Sequence, residues 1–176
     1  MTQDLTLPAA EGYVNLRVGA IIIKDGKLLM VGSRDFDYYY SVGGRIQFGE
    51  SAEQAVRREV LEETGRALEV ERLGFIHEDF FLCDSPSKWG KPIYEIAFYF
   101  YMKTPEDFEP VSGSFTEEGC AEHLEWVPFD SPKKVYPTFF LTEAAHPSPG
   151  IRHIVTDERN NNWPLATDHD LLKKEE

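Results

Sequence analysis

Apolar runs in the first part of the chain predict a hairpin of two strands. The runs VNLRVGAIII and LLMV, within residues 14–31, are separated by Lys24-Asp25-Gly26-Lys27. Asp-Gly between two apolar runs is a strong signal for a two-residue turn. Residues 20–23 are apolar at every position, which predicts a central strand covered on both sides. A short strand is expected at residues 38–42, before the Gly43-Gly44 pair.

The later half of the chain carries further strand patterns. Residues 93–102 have apolar side chains on both faces, with Ile96, Phe98 and Phe100 on one and Ala97, Tyr99 and Tyr101 on the other. Shorter strands are expected at residues 68–77, 122–128 and 151–156, and a long loop at residues 78–91. Ser131-Pro132 predicts the start of a helix that Pro137 interrupts.

Residues 52–64 predict the best-defined helix. Ser51 is a suitable N-cap, Gln54 completes a capping box, and Gly65 is a typical stop signal. Strands that bracket two helices predict an α/β fold, with helices on both sides of a mixed β-sheet.

The end of this helix carries an unusual concentration of acids. Glu59, Glu62 and Glu63 lie where the helix dipole disfavours anions, and they repel one another at spacings of three and four residues. All three fall in roughly a 100° sector that also holds small apolar side chains. Carboxylates that point towards protein would be stabilised by Mg²⁺ or Mn²⁺, whereas the alternative is a solvated acidic face.

The spacing of these acids resembles the signature of a known family. Gly44, Glu50 and the run Arg58-Glu59-Val60-Leu61-Glu62-Glu63-Thr64-Gly65 match the box of the Nudix hydrolases at every fixed position. The aliphatic residue usual after the last glycine is replaced by Arg66, which affects local packing more than chemistry.

The resemblance implies roles for the residues of this box. Glu59 and Glu63 are the expected principal ligands of Mg²⁺ or Mn²⁺, Glu62 shares the coordination, and the carbonyl of Gly43 contributes. Arg58 and Glu50 are expected to pair and to hold the loop against the helix.

The resemblance implies a general base that comes either from the box itself or from a glutamate on a later loop. Glu117, Glu118 and Glu122 lie where such a loop would pass, and Glu118 is the preferred candidate, although a solvated acidic loop is the alternative for each.

Cationic and aromatic residues outside the box are candidates for substrate binding. Arg17, Arg34 and Arg45 are candidate phosphate contacts, and Arg45 is best placed because it directly follows Gly44. Phe80, Trp89 and Tyr94 flank the expected long loop and could stack on a base. The alternatives are surface arginines and core aromatics.

Composition narrows the partners of this chain of 176 residues. A formal net charge of −13 argues against nucleic acid or an anionic membrane as a partner. Cys83 and Cys120 lack metal spacing, which favours reduced thiols in the cytoplasm. We expect a leader at residues 1–12, one domain at residues 13–158 and a polar tail at residues 159–176, with a homodimer left open.

The resemblance implies metal-dependent hydrolysis of a phosphoanhydride bond in a nucleoside diphosphate linked to a group X. Markers of the family's subgroups are mostly missing, so a nucleoside triphosphate and a nucleotide sugar both stay open as substrates. Two alternatives use the same fold: an idle nucleotide sensor, and a diphosphate isomerase in which Cys83 or Cys120 would face a glutamate.

Overall fold

The structure, a computed structural model, describes residues 3–33, 37–83, 88–111 and 122–159. These residues form strands β1 (Thr6–Pro8), β2 (Tyr13–Ile21), β3 (Ile23–Lys24), β4 (Lys27–Ser33), β5 (Tyr39–Ser41), β6 (Glu69–Leu82), β7 (Pro92–Lys103), β8 (Glu122–Pro128), β9 (Val135–Tyr136) and β10 (Arg152–Asp157), and helices α1 (Ala52–Thr64) and α2 (Phe140–Ala145). Neither helix has the length and apolar character that a membrane span requires.

The strands form two mixed sheets. The larger sheet has the order β1-β2-β7-β6-β10, in which the pairs β2–β7 and β6–β10 are parallel and the other pairs are antiparallel. The smaller sheet has the order β3-β4-β5-β9, and β8 also pairs with β4. The parallel pairs join strands that are far apart in the sequence, so the larger sheet gathers residues from most of the described chain.

The chain changes sheets at Ile22. The predicted turn forms, with φ of 51° at Asp25 and 70° at Gly26, but only the short β3 pairs back onto the start of β4. The longer run before it, β2, pairs with β1 and β7 instead of forming the expected hairpin. Because alternate residues face opposite ways, Ile21 packs in one core and Ile22 in the other.

Each face of the sheet assembly has a hydrophobic core. One core joins Val56 and Val60 of α1 to β2 and to Phe100 of β7. The other joins Phe140 of α2 to Phe75 of β6 and to alternate residues of β7. The two apolar faces predicted for residues 93–102 are therefore confirmed, as is the α/β fold with a helix on each side.

Three expectations about the elements are wrong. β6 continues to Leu82 through the expected loop, because residues 75–82 pair with β7. No helix begins at Ser131-Pro132: residues 135–136 pair with β5 instead, and α2 starts only after Pro137. Proline disfavours helical backbone at the residue that precedes it, so an extended conformation is expected at Tyr136. The expected leader is not loose throughout, since Thr6–Pro8 forms an edge strand on β2.

Candidate active site

Caps at both ends of α1 fix the acids of its last turns. The Ser51 side chain accepts from the backbone of Gln54 at 3.2 Å, and the Gln54 side chain accepts from the backbone of Ser51 at 2.8 Å. Gly65 ends the helix with left-handed backbone, and its N–H donates to the Leu61 carbonyl at 2.9 Å. Burial of Val56 and Val60 sets the rotation of the helix about its axis. The carboxylates of the box are thus presented at one edge of the buried stripe.

Arg58 binds several acids of the box at once. Its Nε and Nη2 atoms donate to the two oxygens of Glu50 at 3.1 and 2.6 Å. Its Nη1 atom donates to Glu59 at 2.7 Å and to Glu62 at 3.2 Å, and Nη2 also donates to the Arg45 carbonyl at 3.0 Å. One guanidinium therefore joins the loop after Gly44 to two turns of α1. Burial opposes the charge of Arg58, but its bonds to Glu50 and Glu59 raise the Arg58 pKa overall.

Gly43, just before the box, and Gly44, its first residue, allow α1 to approach the loop closely. The Gly43 N–H donates to Glu63 Oε2 at 3.1 Å. A Cβ on Gly44 would lie 2.5 Å from the carboxyl carbon of Glu59, so any residue other than glycine would displace that carboxylate. A Cβ on Gly43 would lie 2.2 Å from the Val18 carbonyl oxygen. Glu59 and Glu63 therefore lie directly against the backbone of residues 43–44.

Glu59 and Glu63 are both unfavourable as anions in this position. Burial raises the pKa of Glu63 to about 8, the charge of Glu59 raises it further, and the Gly43 N–H opposes the shift. Burial also raises the pKa of Glu59, although Arg58 pulls it back. Two neighbouring, partly buried carboxylates with raised pKa values are typical of a site that holds positive charge.

Comparison with known proteins assigns the chain to a family. The family model described as the NUDIX domain matches residues 14–144. The chain belongs to the Nudix family. This match confirms the predicted family and the enzyme class, a pyrophosphohydrolase that acts on acid anhydrides. No curated protein matches the chain.

Solved structures share the Nudix fold. A MutT NUDIX hydrolase from Burkholderia pseudomallei is 23% identical, with a TM-score of 0.54, and the match covers 74% of this chain and 97% of that one. A mutator MutT protein from Bacillus halodurans is 20% identical, with a TM-score of 0.59 and coverage of 81% and 89%. An ADP-ribose pyrophosphatase from Streptococcus suis is 20% identical, with a TM-score of 0.51 and coverage of 81% and 98%. At these identities the likeness concerns the fold alone.

The acids of the Nudix box fit a divalent cation by their chemistry. Oxygen donors with several carboxylates suit Mg²⁺ or Mn²⁺. A cation would also relieve the repulsion that raises the pKa values of Glu59 and Glu63. Among the described residues, no three acidic, histidine or cysteine side chains already converge as a complete metal cage. Arg58 contacts one oxygen of Glu59 and one of Glu62, so a cation would have to share these acids with the guanidinium.

A second wall of the Nudix site comes from β2, β5 and β8. The Tyr40 hydroxyl donates to Glu122. Burial raises the pKa of Tyr40, the bond to Glu122 raises it further, and the charges of Glu63 and Arg17 also act on it. Tyr40, Glu122 and Arg17 therefore surround the same space as the helix acids. Tyr40 is not among the residues predicted for the site, because three consecutive tyrosines give no sequence signal that separates a site residue from a core residue.

The other predicted substrate residues are dispersed. Arg45 offers its carbonyl to Arg58, and its backbone forms an isolated bridge with Arg17. Phe80 and Tyr94 stack on each other, with ring centroids 4.6 Å apart and an angle of 4° between the rings. They lie on the face of the sheet opposite to Arg17, because alternate strand residues point to opposite faces. Trp89 is 72% exposed.

Some predicted residues lie outside the described parts of the chain. These are Arg34, Glu117, Glu118 and Cys120. Cys83, the other cysteine, is partly buried and directly follows β6.

Proposed function

We propose that this chain hydrolyses a phosphoanhydride bond in a nucleoside diphosphate linked to a group X, with Mg²⁺ or Mn²⁺ as the cofactor. The pair of Glu59 and Glu63 carries the proposal. Both carboxylates are drawn into protein against Gly43 and Gly44, burial raises the pKa of both, and the charges of Glu62 and Glu59 raise the pKa values of Glu59 and Glu63 respectively. Such a pair is costly for the fold and useful for holding a cation beside a polyphosphate.

Three acids of α1 hold the cation in this proposal. Glu59 and Glu63 are its principal ligands, Glu62 shares the coordination, and the Gly43 carbonyl contributes an oxygen. When bound, Mg²⁺ or Mn²⁺ neutralises phosphate charge and orients a water for in-line attack on phosphorus. The carboxylates thereby offset the repulsion between an acidic protein and an anionic substrate.

Arginines of the site position the acids and the phosphates. Arg58 and Glu50 hold the loop on the helix, so that Glu59 keeps its orientation when substrate binds. Arg17 is the best supported phosphate contact, since the charges of Glu59 and Glu63 act on its guanidinium from across the site. Arg45 and Arg34 stay predictions for the same role.

The general base is assigned to a glutamate after β7. Glu118, the predicted residue, lies outside the described chain. Glu122 is the described alternative, because its carboxylate bonds to Tyr40 and its charge acts on Glu63. A base at this position would take a proton from the attacking water on the side of the site opposite to Arg58.

The substrate is proposed only as a class. Among the solved neighbours described above, only the ADP-ribose pyrophosphatase has a name that states a substrate, and its likeness to this chain concerns the fold alone. A nucleoside triphosphate and a nucleotide sugar both fit the proposal. Base stacking by Phe80, Trp89 or Tyr94 stays a prediction. The acidic chain is proposed to work on small nucleotides in the cytoplasm, without nucleic acid or membrane as a partner.

A panel of nucleoside triphosphates and nucleotide sugars tests the proposal. We expect phosphate products to form with Mg²⁺ or Mn²⁺ and not after chelation. The Glu63→Gln variant should lose activity by about 10²–10³-fold, because it removes a charged group from the reacting centre. Glu53→Gln is the matched control: Glu53 lies in the first turn of the same helix, where it pairs with Arg57 in solvent.

Each outcome distinguishes the proposal from its alternatives. Turnover that survives chelation, or a fully active Glu63→Gln variant, contradicts the mechanism. Inactivity on every compound favours the idle nucleotide sensor. Isomerisation of an allylic diphosphate that is lost in a Cys83→Ala or Cys120→Ala variant would favour the isomerase.

A further inference from the structure

A row of polar side chains crosses all five strands of the larger sheet on the face that carries Arg17. The row consists of Thr6 on β1, Asn15 on β2, Glu95 on β7, Asp79 on β6 and Thr156 on β10. Each residue is the direct cross-strand partner of the next, so their side chains point to the same side. We call this set the acceptor row.

The side-chain amide of Asn15 shows that the acceptor row contains an acceptor without a donor. Asn15 is only 5% exposed, and its Nδ2 atom donates to Glu95 Oε2 at 3.2 Å. An ionised carboxylate accepts only, so the nitrogen must face Glu95 and the oxygen must face away from it. Within the described chain, Asn15 Oδ1 and Thr6 Oγ1 are buried atoms without a hydrogen-bond partner. A buried acceptor without a donor is costly, which indicates a ligand that supplies the donor.

The other half of the row, Asp79 and Thr156, is linked by hydrogen bonds to His77. Thr156 Oγ1 donates to Asp79 Oδ1 at 2.6 Å and contacts His77 Nε2 at 2.8 Å. Because a hydroxyl has one proton, His77 must donate to Thr156 when Thr156 donates to Asp79. Burial lowers the pKa of His77 to about 4, so the ring is neutral and carries this proton on Nε2. With the proton on Nε2 of His77, the Thr156 hydroxyl points to Asp79 Oδ1, an oxygen that can accept whether or not the other oxygen of Asp79 is protonated.

Arg17 lies between the acceptor row and the acids of α1. It is two residues from Asn15 on the same face, and its Nη1 atom is 4.0 Å from Glu95 Oε2. Burial lowers the pKa of Arg17, but Glu95 together with Glu63 and Glu59 raises it overall. A substrate with its phosphates at Arg17 and the helix acids would extend its next group over the row.

We propose that the acceptor row recognises a nucleobase edge with adjacent amino and ring N–H donors, of which guanine is the type. The proposal rests on the proposed function for the phosphate end of the site. The edge of guanine presents two neighbouring donors, which would bind Asn15 Oδ1 and the Glu95 carboxylate. Uracil presents mainly acceptors there and would face the oxygens of the row. The row itself contains no cationic side chain, so a second phosphate group is disfavoured at this position.

Binding of GMP, IMP and UMP to the intact protein, measured by calorimetry, tests this proposal. These monophosphates contain no phosphoanhydride, so their binding is independent of catalysis. GMP and IMP differ only in the exocyclic amino group. We expect GMP to bind about tenfold more tightly than IMP, the effect of one hydrogen bond to a buried acceptor, and UMP to bind most weakly.

Variants assign the preference to the row. Asn15→Leu keeps the branched shape of the side chain and removes both its acceptor and the donor that binds Glu95, so GMP and IMP should bind equally. Glu95→Gln, which is nearly isosteric, should also reduce the preference and serves if the leucine variant does not fold. Glu78→Gln is the matched control, because Glu78 precedes Asp79 on the opposite face of β6.

Three results overturn the proposal: equal affinities for GMP and IMP in the wild type, tighter binding of UMP, or no GMP binding at millimolar concentration. Failure of the hydrolysis panel with a retained preference for GMP would instead refute the proposed function and leave the acceptor row in place.

Discussion

Two pairs of partly buried acids, Glu59 and Glu63 on α1 and Glu95 and Asp79 in the acceptor row, have different neighbours. Glu59 lies against the guanidinium of Arg58. The carboxylates of Glu59 and Glu63, one helical turn apart, repel each other. Glu95 and Asp79 instead accept from a neutral amide and a neutral hydroxyl. The first pair has an excess of charge that a cation can balance, whereas the second has oxygens that neutral donors can satisfy. The neighbours of an acid, more than its burial, therefore indicate what it binds.

Loss of the Arg58 guanidinium is expected to have the largest effect on this comparison. Arg58→Leu should lower activity by about 100-fold, because it releases both the loop and Glu59, the proposed metal ligand. It should also lower the free energy of unfolding by about 2 kcal/mol, since Glu50 and Glu59 become partly buried anions without their partner. Enzyme kinetics and urea unfolding measure the two effects.

Arg57 provides the matched control for Arg58. It precedes Arg58 on α1 and pairs with Glu53, and both side chains are about half exposed. Arg57→Leu should change the free energy of unfolding by less than about 0.5 kcal/mol and leave kcat unchanged. Equal effects of the two substitutions would show that position on the helix, and not the bonds of Arg58, accounts for the loss.

Gly44→Ala is expected to have an intermediate effect on the helix acids alone. The new Cβ would meet the carboxylate of Glu59, the flexible end of a side chain, so the chain can fold by moving that group. We expect a loss of activity of about tenfold and a stability change below about 1 kcal/mol. GMP binding at the acceptor row should not change.

Gly150→Ala is the control for this substitution. A Cβ at Gly150 would meet nothing within 4 Å, so activity should be retained. Full activity of the Gly44→Ala variant would mean that the place of Glu59 against the backbone has no catalytic importance.

Asp79→Asn is expected to have the smallest effect, on the pH dependence of stability. Burial raises the pKa of Asp79 to about 7, from an ordinary value of 3.8. Between these values the folded chain keeps a proton that the unfolded chain has lost, so this group makes stability fall as pH rises. We therefore subtract the free energy of unfolding of the Asp79→Asn variant from that of the wild type. This difference should fall by about 1–2 kcal/mol between pH 4 and 7, and then level off.

His77 acts in the opposite direction in the same range. Its pKa is lowered from 6.5 to about 4, so the unfolded chain binds the extra proton and stability rises with pH in that window. Removal of Asp79 should expose this rise in urea titrations between pH 4 and 6.5. Glu71→Gln, at an exposed position of the same strand, should follow the wild type. Parallel curves for Asp79→Asn and the wild type would contradict the proposed burial of the Asp79 proton.

The sequence predicts best those features whose interactions lie within one segment. Both ends of α1 are predicted correctly because Ser51, Gln54 and Gly65 each act within one helical turn. The Asp25-Gly26 turn is predicted for the same reason. The two faces of β7 follow from simple alternation.

Features that depend on partners far away in the sequence are not predicted from local sequence patterns. Ser131-Pro132 is a sound local signal for a helix start, yet pairing of Val135–Tyr136 with β5 overrides it. The acceptor row escapes because Asn15 and Glu95 have no common local pattern: their contact depends on the parallel pairing of β2 and β7. The roles of Glu118 and Arg34 stay predictions.

The separation of 80 residues between Asn15 and Glu95 has a consequence for biosynthesis. A growing chain has synthesised the complete Nudix box, with both of its capping signals, well before β7 leaves the ribosome. Local contacts form readily, whereas closing a long loop to make a parallel pair is slow. We therefore expect α1, the proposed metal-binding helix, to exist in nascent chains that still lack the proposed base-recognition row. Selectivity is then the last property that the enzyme acquires as it folds.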